Sequence, residues 1–207
     1  MSTALDTLRK FGDDCAVRVR ALDLIERGLW SIRDVVGAVL AINRMPPDAR
    51  RLSPADLDDL RVLIEREIAR RQLHLSWQSG IESEVAVAAT ETRQVALNLL
   101  LNACEVSPPG GEIGFRASID DGCGGLPELN LEVSDSGPGL PPDIVATLSG
   151  DRVMGTHDPA HWIGLRVICD LVQGLGGRIV ATTLEFGGSR ITVTLPIDDS
   201  AEQVRAA

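Results

Sequence analysis

Thr92–Gly111 reads TRQVALNLLLNACEVSPPGG. Its apolar residues recur at helical spacing, and Ser107-Pro108-Pro109-Gly110-Gly111 cannot continue a helix. The pattern predicts a helix over Glu91–Val106. Gln94, Asn98, Asn102 and Glu105 are four, four and three residues apart, which places them on one face. Leu97, Leu101 and Cys104 fall on another face, and Val95, Leu99 and Val106 extend the apolar surface. Amides on such a helix are costly to bury without partners. An amide oxygen is a hard donor suited to Mg²⁺, which takes its remaining ligands from water and phosphates. A solvated helix face is the plainer reading of Asn98 alone. The pair with its flanks points to a ligand.

Two further segments follow. In Val133–Leu140, VSDSGPGL, an apolar strand runs into Asp135-x-Gly137-x-Gly139. A carboxylate at a strand end can accept a hydrogen bond from an exocyclic amine, and the glycines let backbone approach a flat ring. A simple turn would use the same residue types. In His161–Ile179, HWIGLRVICDLVQGLGGRI, Gly164-Leu165 is expected to open a helix. Free amides at such a start bind phosphate.

Working outward, Ser53-Pro54-Ala55-Asp56 opens a helix running to about Arg71, with Ser53 as N-cap and Asp56 suiting the positive end. Leu73–Trp77 alternates like a strand. So do Ile113–Ile119 and Leu129–Val133, with Asp120-Asp121-Gly122 and Gly124-Gly125 between them as a hairpin turn. Pro138–Ala160 reads as a long loop with a short helix near Asp143–Leu148. A helix over Ile163–Leu175 should bury Val167, Ile168, Leu171, Val172 and Leu175 and end at Gly176-Gly177. Strands Arg178–Glu185 and Arg190–Pro196 close the fold through Gly187-Gly188. Mostly antiparallel strands with helices on one face make an α+β two-layer sandwich.

Composition narrows the function classes. The 207 residues are 44% hydrophobic and 24% charged, but only 3% aromatic, so the core must be aliphatic. A net charge of -10 opposes binding to a nucleic-acid backbone, and no basic tract suits an anionic membrane. No signal-peptide pattern or membrane-length apolar run occurs, so cytoplasmic residence is expected. Cys15, Cys104, Cys123 and Cys169 are scattered, without zinc or disulfide spacing.

Taken together and in this order, the segments resemble the nucleotide-binding domain of the GHKL superfamily, in its histidine-kinase branch. The resemblance covers roughly Ser53 to Pro196. Asn98-Leu-Leu-Leu-Asn102-Ala103 looks like the asparagine motif and Asp135-Ser-Gly137-Pro-Gly139 like the Asp-x-Gly-x-Gly motif. Ala160–Leu165 falls at the glycine-rich motif, and Gly187-Gly188-Ser189 begins the closing motif. The resemblance implies a GHKL (Bergerat-type) ATPase fold that binds Mg²⁺ and ATP. Asn102 would hold Mg²⁺, with Asn98 on the phosphate side. Asp135 would take the adenine amine, Gly137 and Gly139 would shape its pocket, and Ser189 would be a further nucleotide-binding residue. Residues from about Leu148 to Ile163 would form a lid, and Gly164 and Leu165 would lie beneath the phosphates. The family's Gly-x-Gly-x-Gly-Leu has Ala160 and Trp162 in place of two glycines here.

Leu22, Ile25, Leu29, Ile32, Val36, Val39 and Leu40 form an apolar stripe on a helical segment ending at Met45-Pro46-Pro47. It predicts a dimerisation helix over residues 1–47, ahead of an ATP-binding domain over 48–197 and a flexible tail over 198–207. The histidines are His74, His157 and His161, and none lies in that helical segment. A kinase of this type would therefore need a histidine from another chain. The expected partners are ATP or ADP, a response regulator or histidine-bearing kinase, and a second copy joined through the N-terminal helices. An adaptor that keeps the fold without the chemistry is the alternative, and an anti-sigma-type serine kinase is the third reading.

Overall fold

The computed structural model describes residues 50–122, 125–148, 159–185 and 187–197. The chain divides into two compact units, Met45–His157 with Ile168–Ala207, and Met1–Arg44 with Asp158–Val167. The expected N-terminal dimerisation helix, most of the expected lid and the tail from residue 198 lie outside the described residues.

The elements in order are β1 (Arg51–Leu52), α1 (Pro54–Arg71), β2 (His74–Ser79), β3 (Val85–Ala88), α2 (Ala89–Val106), β4 (Glu112–Asp121), β5 (Pro127–Ser134), α3 (Pro142–Leu148), α4 (Pro159–Gly174), β6 (Arg178–Thr183) and β7 (Ser189–Pro196). Five strands form one sheet in the order β2-β4-β5-β7-β6. Only β2 and β4 run parallel, since β3 and α2 carry the chain between them. The other neighbours are antiparallel hairpin or return pairs.

Alternation decides which face is covered. Phe115, Ala117, Leu129, Leu131, Val133, Val193 and Leu195 are buried on the inner face. Leu57, Leu60, Ile64 and Ile68 of α1 are buried as well, as are Val95, Leu99, Leu100 and Cys104 of α2. Each large aliphatic side chain so buried contributes roughly 2 kcal/mol against the entropy of ordering the chain. The opposite face is polar. Arg178 pairs with Glu128, Arg190 with Glu132, Arg116 with Gln78, and Asn130 with Asp120 and Thr194. Such pairs are worth little individually, but they keep that face compatible with water.

Some local expectations change. The short strands β1 and β3 were not expected, and they pair antiparallel with each other. β3 runs straight into α2, whose N-cap is Ala88, without a side-chain cap. The Ala89 amide instead donates to the Arg50 carbonyl at 3.1 Å. Val106 was expected to extend the apolar surface but is 47% exposed, because it ends α2 beyond the sheet-facing row. Leu97 and Leu101 are only half-buried, since that row is centred on Val95, Leu99, Leu100 and Ala103. α4 begins at Pro159, four residues before the expected Ile163. Proline suits a first helical turn because it lacks only a donor that the turn would leave unpaired. α4 ends as expected. The Gly177 amide donates to the Val172 carbonyl at 2.9 Å, and Gly176 takes φ +70°.

No described helix is long and apolar enough to cross a membrane.

Candidate nucleotide site

Asp135 follows directly on the last residue of β5, where the sheet runs out into the Ser136–Leu140 loop. Its backbone stays in register with β7, with its amide donating to the Ser189 carbonyl at 3.0 Å. Its carboxylate is gripped from two sides. Oδ1 accepts the Gly137 amide at 2.7 Å and the Ser189 amide at 3.2 Å, and Oδ2 accepts the Ser189 hydroxyl. An ionised carboxylate has about four acceptor positions. Three are filled from within the protein, which leaves room for one further donor on a half-buried, pre-aimed oxygen.

The two loops around Asp135 touch through backbone. Gly188 has φ +90°, and a Cβ there would fall inside van der Waals distance of the Asp135 carbonyl oxygen. Only glycine meets both conditions. Gly139 has φ +84°, and a Cβ there would lie 2.6 Å from Thr183 Cγ2. The Thr183 hydroxyl donates to the Leu140 carbonyl at 3.2 Å and ties the end of β6 to the same loop. At Gly137 a Cβ would lie 2.8 Å from Val106 Cγ2 and 3.0 Å from the Val106 carbonyl oxygen. The loop therefore rests on the C-terminal end of α2. Asp135, Gly137, Gly139 and Ser189, picked out in the sequence, form one interlocked group. Thr183, Val106 and the close approach of Gly188 were not assigned from sequence, since they arise where strands distant in the chain meet.

α2 carries the other half. Asn98 and Asn102 are half-buried on its sides, and among the described residues no hydrogen bond involves either amide. Asn102 lies one turn before Val106, about 6 Å along the axis. Glu105 is exposed. The single basic residue of the helix, Arg93, is turned away to Asp56 at 3.0 Å and Asp59 at 3.8 Å. This face thus offers hard oxygen donors and no cation.

Arg93 belongs to a clamp that fixes α2. Asp56 is 3% exposed and accepts from Arg50 at 2.6 Å, from Arg93, and from the amide and hydroxyl of Ser53. Burial works against its ionisation, but the Arg50 and Ser53 hydrogen bonds outweigh it and hold the carboxyl well below its ordinary range. Asp56 thus does more than complement a helix end. Lower on α1, Glu67 is brought to about 2, chiefly by the Arg70 hydrogen bond with help from Arg71. Burial pushes the Cys104 thiol up to about 11, consistent with an inert core residue.

Gly164 and Leu165 do not open a helix as expected. They are the sixth and seventh residues of α4, past the first turn whose amides are free.

The domain has known counterparts. Residues 88–199 match the family described as histidine kinase-, DNA gyrase B- and HSP90-like ATPases. The chain belongs to this family. Within it, the relatives are sensor kinases. The chain is 30% identical to the aerobic respiration control sensor ArcB of Escherichia coli K12 over 72% of its own length and 19% of ArcB. It is 26% identical to the adaptive-response sensory kinase SasA of Synechococcus elongatus over 82% of its length and 45% of SasA. With WalK of Bacillus subtilis it shares 23% identity over 98% of its length and 36% of WalK. It therefore spans less than half of each of these relatives. The fold matches the Acinetobacter baumannii histidine kinase AdeS with a TM-score of 0.65 at 16% identity, covering 96% of this chain and 95% of that one. Full-length ShkA, solved in complex with AMPPNP, matches with a TM-score of 0.65 at 20% identity, over 89% of this chain and 39% of that one. The histidine-kinase-type ATPase domain read from the asparagine and Asp-x-Gly-x-Gly segments is thus the domain the chain carries, of the class used in two-component signalling.

Proposed function

We propose that this domain binds Mg²⁺-ATP and donates the γ-phosphoryl group to a histidine on another chain. One observation carries the reading. A pre-aimed carboxylate, Asp135, sits in a loop that rests on the end of a helix whose two amides, Asn98 and Asn102, make no hydrogen bond among the described residues. Asp135 would accept the exocyclic amine of adenine at the acceptor position left open on its carboxylate. Gly137 and Gly139 would admit the flat ring, and Ser189 would hold the carboxylate in place. Asn102 would supply an amide oxygen to Mg²⁺, with Asn98 beside the phosphates; the donor set is hard and fits that ion. When bound, Mg²⁺ neutralises charge on the triphosphate and orients it. With Arg93 held by Asp56 and Asp59, no basic side chain of α2 is free for that task, so binding should depend strongly on the metal.

Transfer would form a bond between an imidazole nitrogen and the γ-phosphorus and break the bond to the bridging oxygen, releasing ADP. Gly164 and Leu165 could serve the phosphates only if the first turns of α4 opened on binding. The domain boundaries at 47 and 197, a homodimer through residues 1–47, a response regulator as downstream partner and cytoplasmic residence complete the proposal.

Titration calorimetry with ADP and a non-hydrolysable ATP analogue, with and without Mg²⁺, tests it. Micromolar binding that weakens by roughly ten- to a hundredfold in Asp135→Asn is expected. Absence of binding at millimolar nucleotide would leave the second reading, an adaptor that uses the fold to hold a regulator or kinase. The helical state of residues 164 and 165 favours that reading.

A further inference from the structure

The loop that carries Asp135 is sewn to α2 by two serines outside the nucleotide motifs' assigned roles. The last registered pair between β4 and β5 is Gly114 with Ser134. Two residues further on, Ser136 would face Glu112, but the backbone has turned away. The Ser136 side chain takes over the pairing. Its Oγ accepts the Glu112 amide at 2.9 Å and donates to the Glu112 carbonyl at 3.0 Å. The Ser136 amide, freed from the ladder, donates to Ser107 Oγ at 3.2 Å. Ser107 is 8% exposed and is the C-cap of α2, its own amide donating to the Ala103 carbonyl at 3.2 Å. Gly111 keeps the seam closed, since a Cβ there would lie 3.1 Å from Ser136 Cβ. A continuous set of hydrogen bonds therefore runs from the α2 terminus, one turn past Asn102, to the residue beside Asp135.

We infer that Ser107 and Ser136 are positioning residues that set the distance between the adenine-reading carboxylate and the metal-bearing helix. This rests on the nucleotide reading above and deepens it. A nucleotide must reach both ends at once, so its affinity depends on that spacing. A nucleoside engages the Asp135 loop alone and is insensitive to it. Breaking the seam should therefore weaken Mg²⁺-ADP while leaving adenosine nearly unchanged. One neutral hydrogen bond corresponds to roughly a two- to tenfold change in affinity.

The experiment is calorimetric titration of the full chain with adenosine and with Mg²⁺-ADP. It compares wild type, Ser107→Ala, Ser136→Ala and the hydroxyl-retaining Ser107→Thr, with thermal melting of each. The expected result is a fall of roughly two- to tenfold in the ADP-to-adenosine affinity ratio in both alanine variants, restored in Ser107→Thr. Should Ser136→Ala not fold, Ser107→Ala and Ser107→Thr carry the comparison alone. An unchanged ratio in folded alanine variants, whatever their melting temperature, overturns the seam proposal and leaves the nucleotide reading intact. Wild-type protein that binds neither ligand overturns both.

Discussion

The two halves of the candidate site are built on opposite principles. Around Asp135 the protein has filled nearly every polar valence itself, and two loops touch through backbone, with glycine where nothing else fits. Along α2 the amides of Asn98 and Asn102 have no hydrogen-bond partner among the described residues, on a helix whose rigidity comes from its buried face and from the Asp56 clamp. On the proposed reading, a preorganised half would take a flat ring of fixed shape at low entropic cost. The α2 half would leave ligand valences open for an ion that arrives with the phosphates. Substitutions should consequently damage fold and binding together on the first side, and binding alone on the second.

The largest effect should come at Gly188. Gly188→Val places a branched Cβ against the Asp135 carbonyl at φ +90°, and strain of this kind costs roughly 1–3 kcal/mol before the steric overlap is counted. A thermal melt should show the folded state lowered by about 3 kcal/mol or lost. A variant that melts like wild type would mean that the interlocked half is looser than its contacts imply. Asp135→Asn is gentler on the fold and severe on binding. The amide can keep its oxygen toward the Gly137 and Ser189 backbone amides, but it turns the other oxygen, which meets the Ser189 hydroxyl and holds the open acceptor position, into a donor. Hydrogen bonds to a charged group are worth about 1.5–3 kcal/mol, so ADP affinity should fall by roughly ten- to a hundredfold in calorimetry.

The same contrast explains what could be read from sequence. Asn98, Asn102, Asp135, Gly137 and Gly139 stand in local patterns whose spacing has physical meaning along one element. The α+β sandwich was legible for that reason, and so were the candidate residues on its two sides. The contacts that make the Asp135 half rigid join residues far apart in the chain, such as Ser107 with Ser136 and Asp135 with Ser189. Seen in the chain, Ser107 and Ser136 are only turn formers. The β1–β3 pair was illegible because two- and four-residue strands give no measurable period. The start of α4 was misread because Gly164 looks like a boundary, while Pro159, five residues earlier, is the residue that suits a first turn.

Acid tests the Asp56 clamp on α2 together with the Glu67 pairs inside α1. Asp56 and Glu67 both have folded-state values below those of the unfolded chain. The stability they contribute is present above the ordinary carboxylate range and is lost as pH falls through the folded values, about 2 for Glu67. The melting temperature should stay level from neutral pH to about 5 and decline toward pH 2. Asp56→Asn should lower stability at neutral pH by about 1.5–3 kcal/mol, as loss of hydrogen bonds to a charged group does, and flatten part of the acid decline. An identical acid profile in wild type and Asp56→Asn would remove Asp56 as the source of that dependence.

The smallest effect on stability, and the sharpest division between the halves, should come from Asn102→Ala. Its amide makes no hydrogen bond among the described residues and is half-buried on the side of α2, so no described group is left unpaired when it is removed. Alanine also has the higher helix propensity, which offsets part of the lost packing. The melting temperature without ligand should stay within the change expected of a surface substitution, about 0.5 kcal/mol in either direction. The stabilisation that Mg²⁺-ADP adds to the wild-type melt should shrink to the level that ADP gives without metal. That pairing of results, an unchanged apo melt with a lost metal increment, is what an amide kept open for a ligand produces. A clear loss of apo stability would mean instead that Asn102 supports the fold, and the two halves would no longer differ in kind.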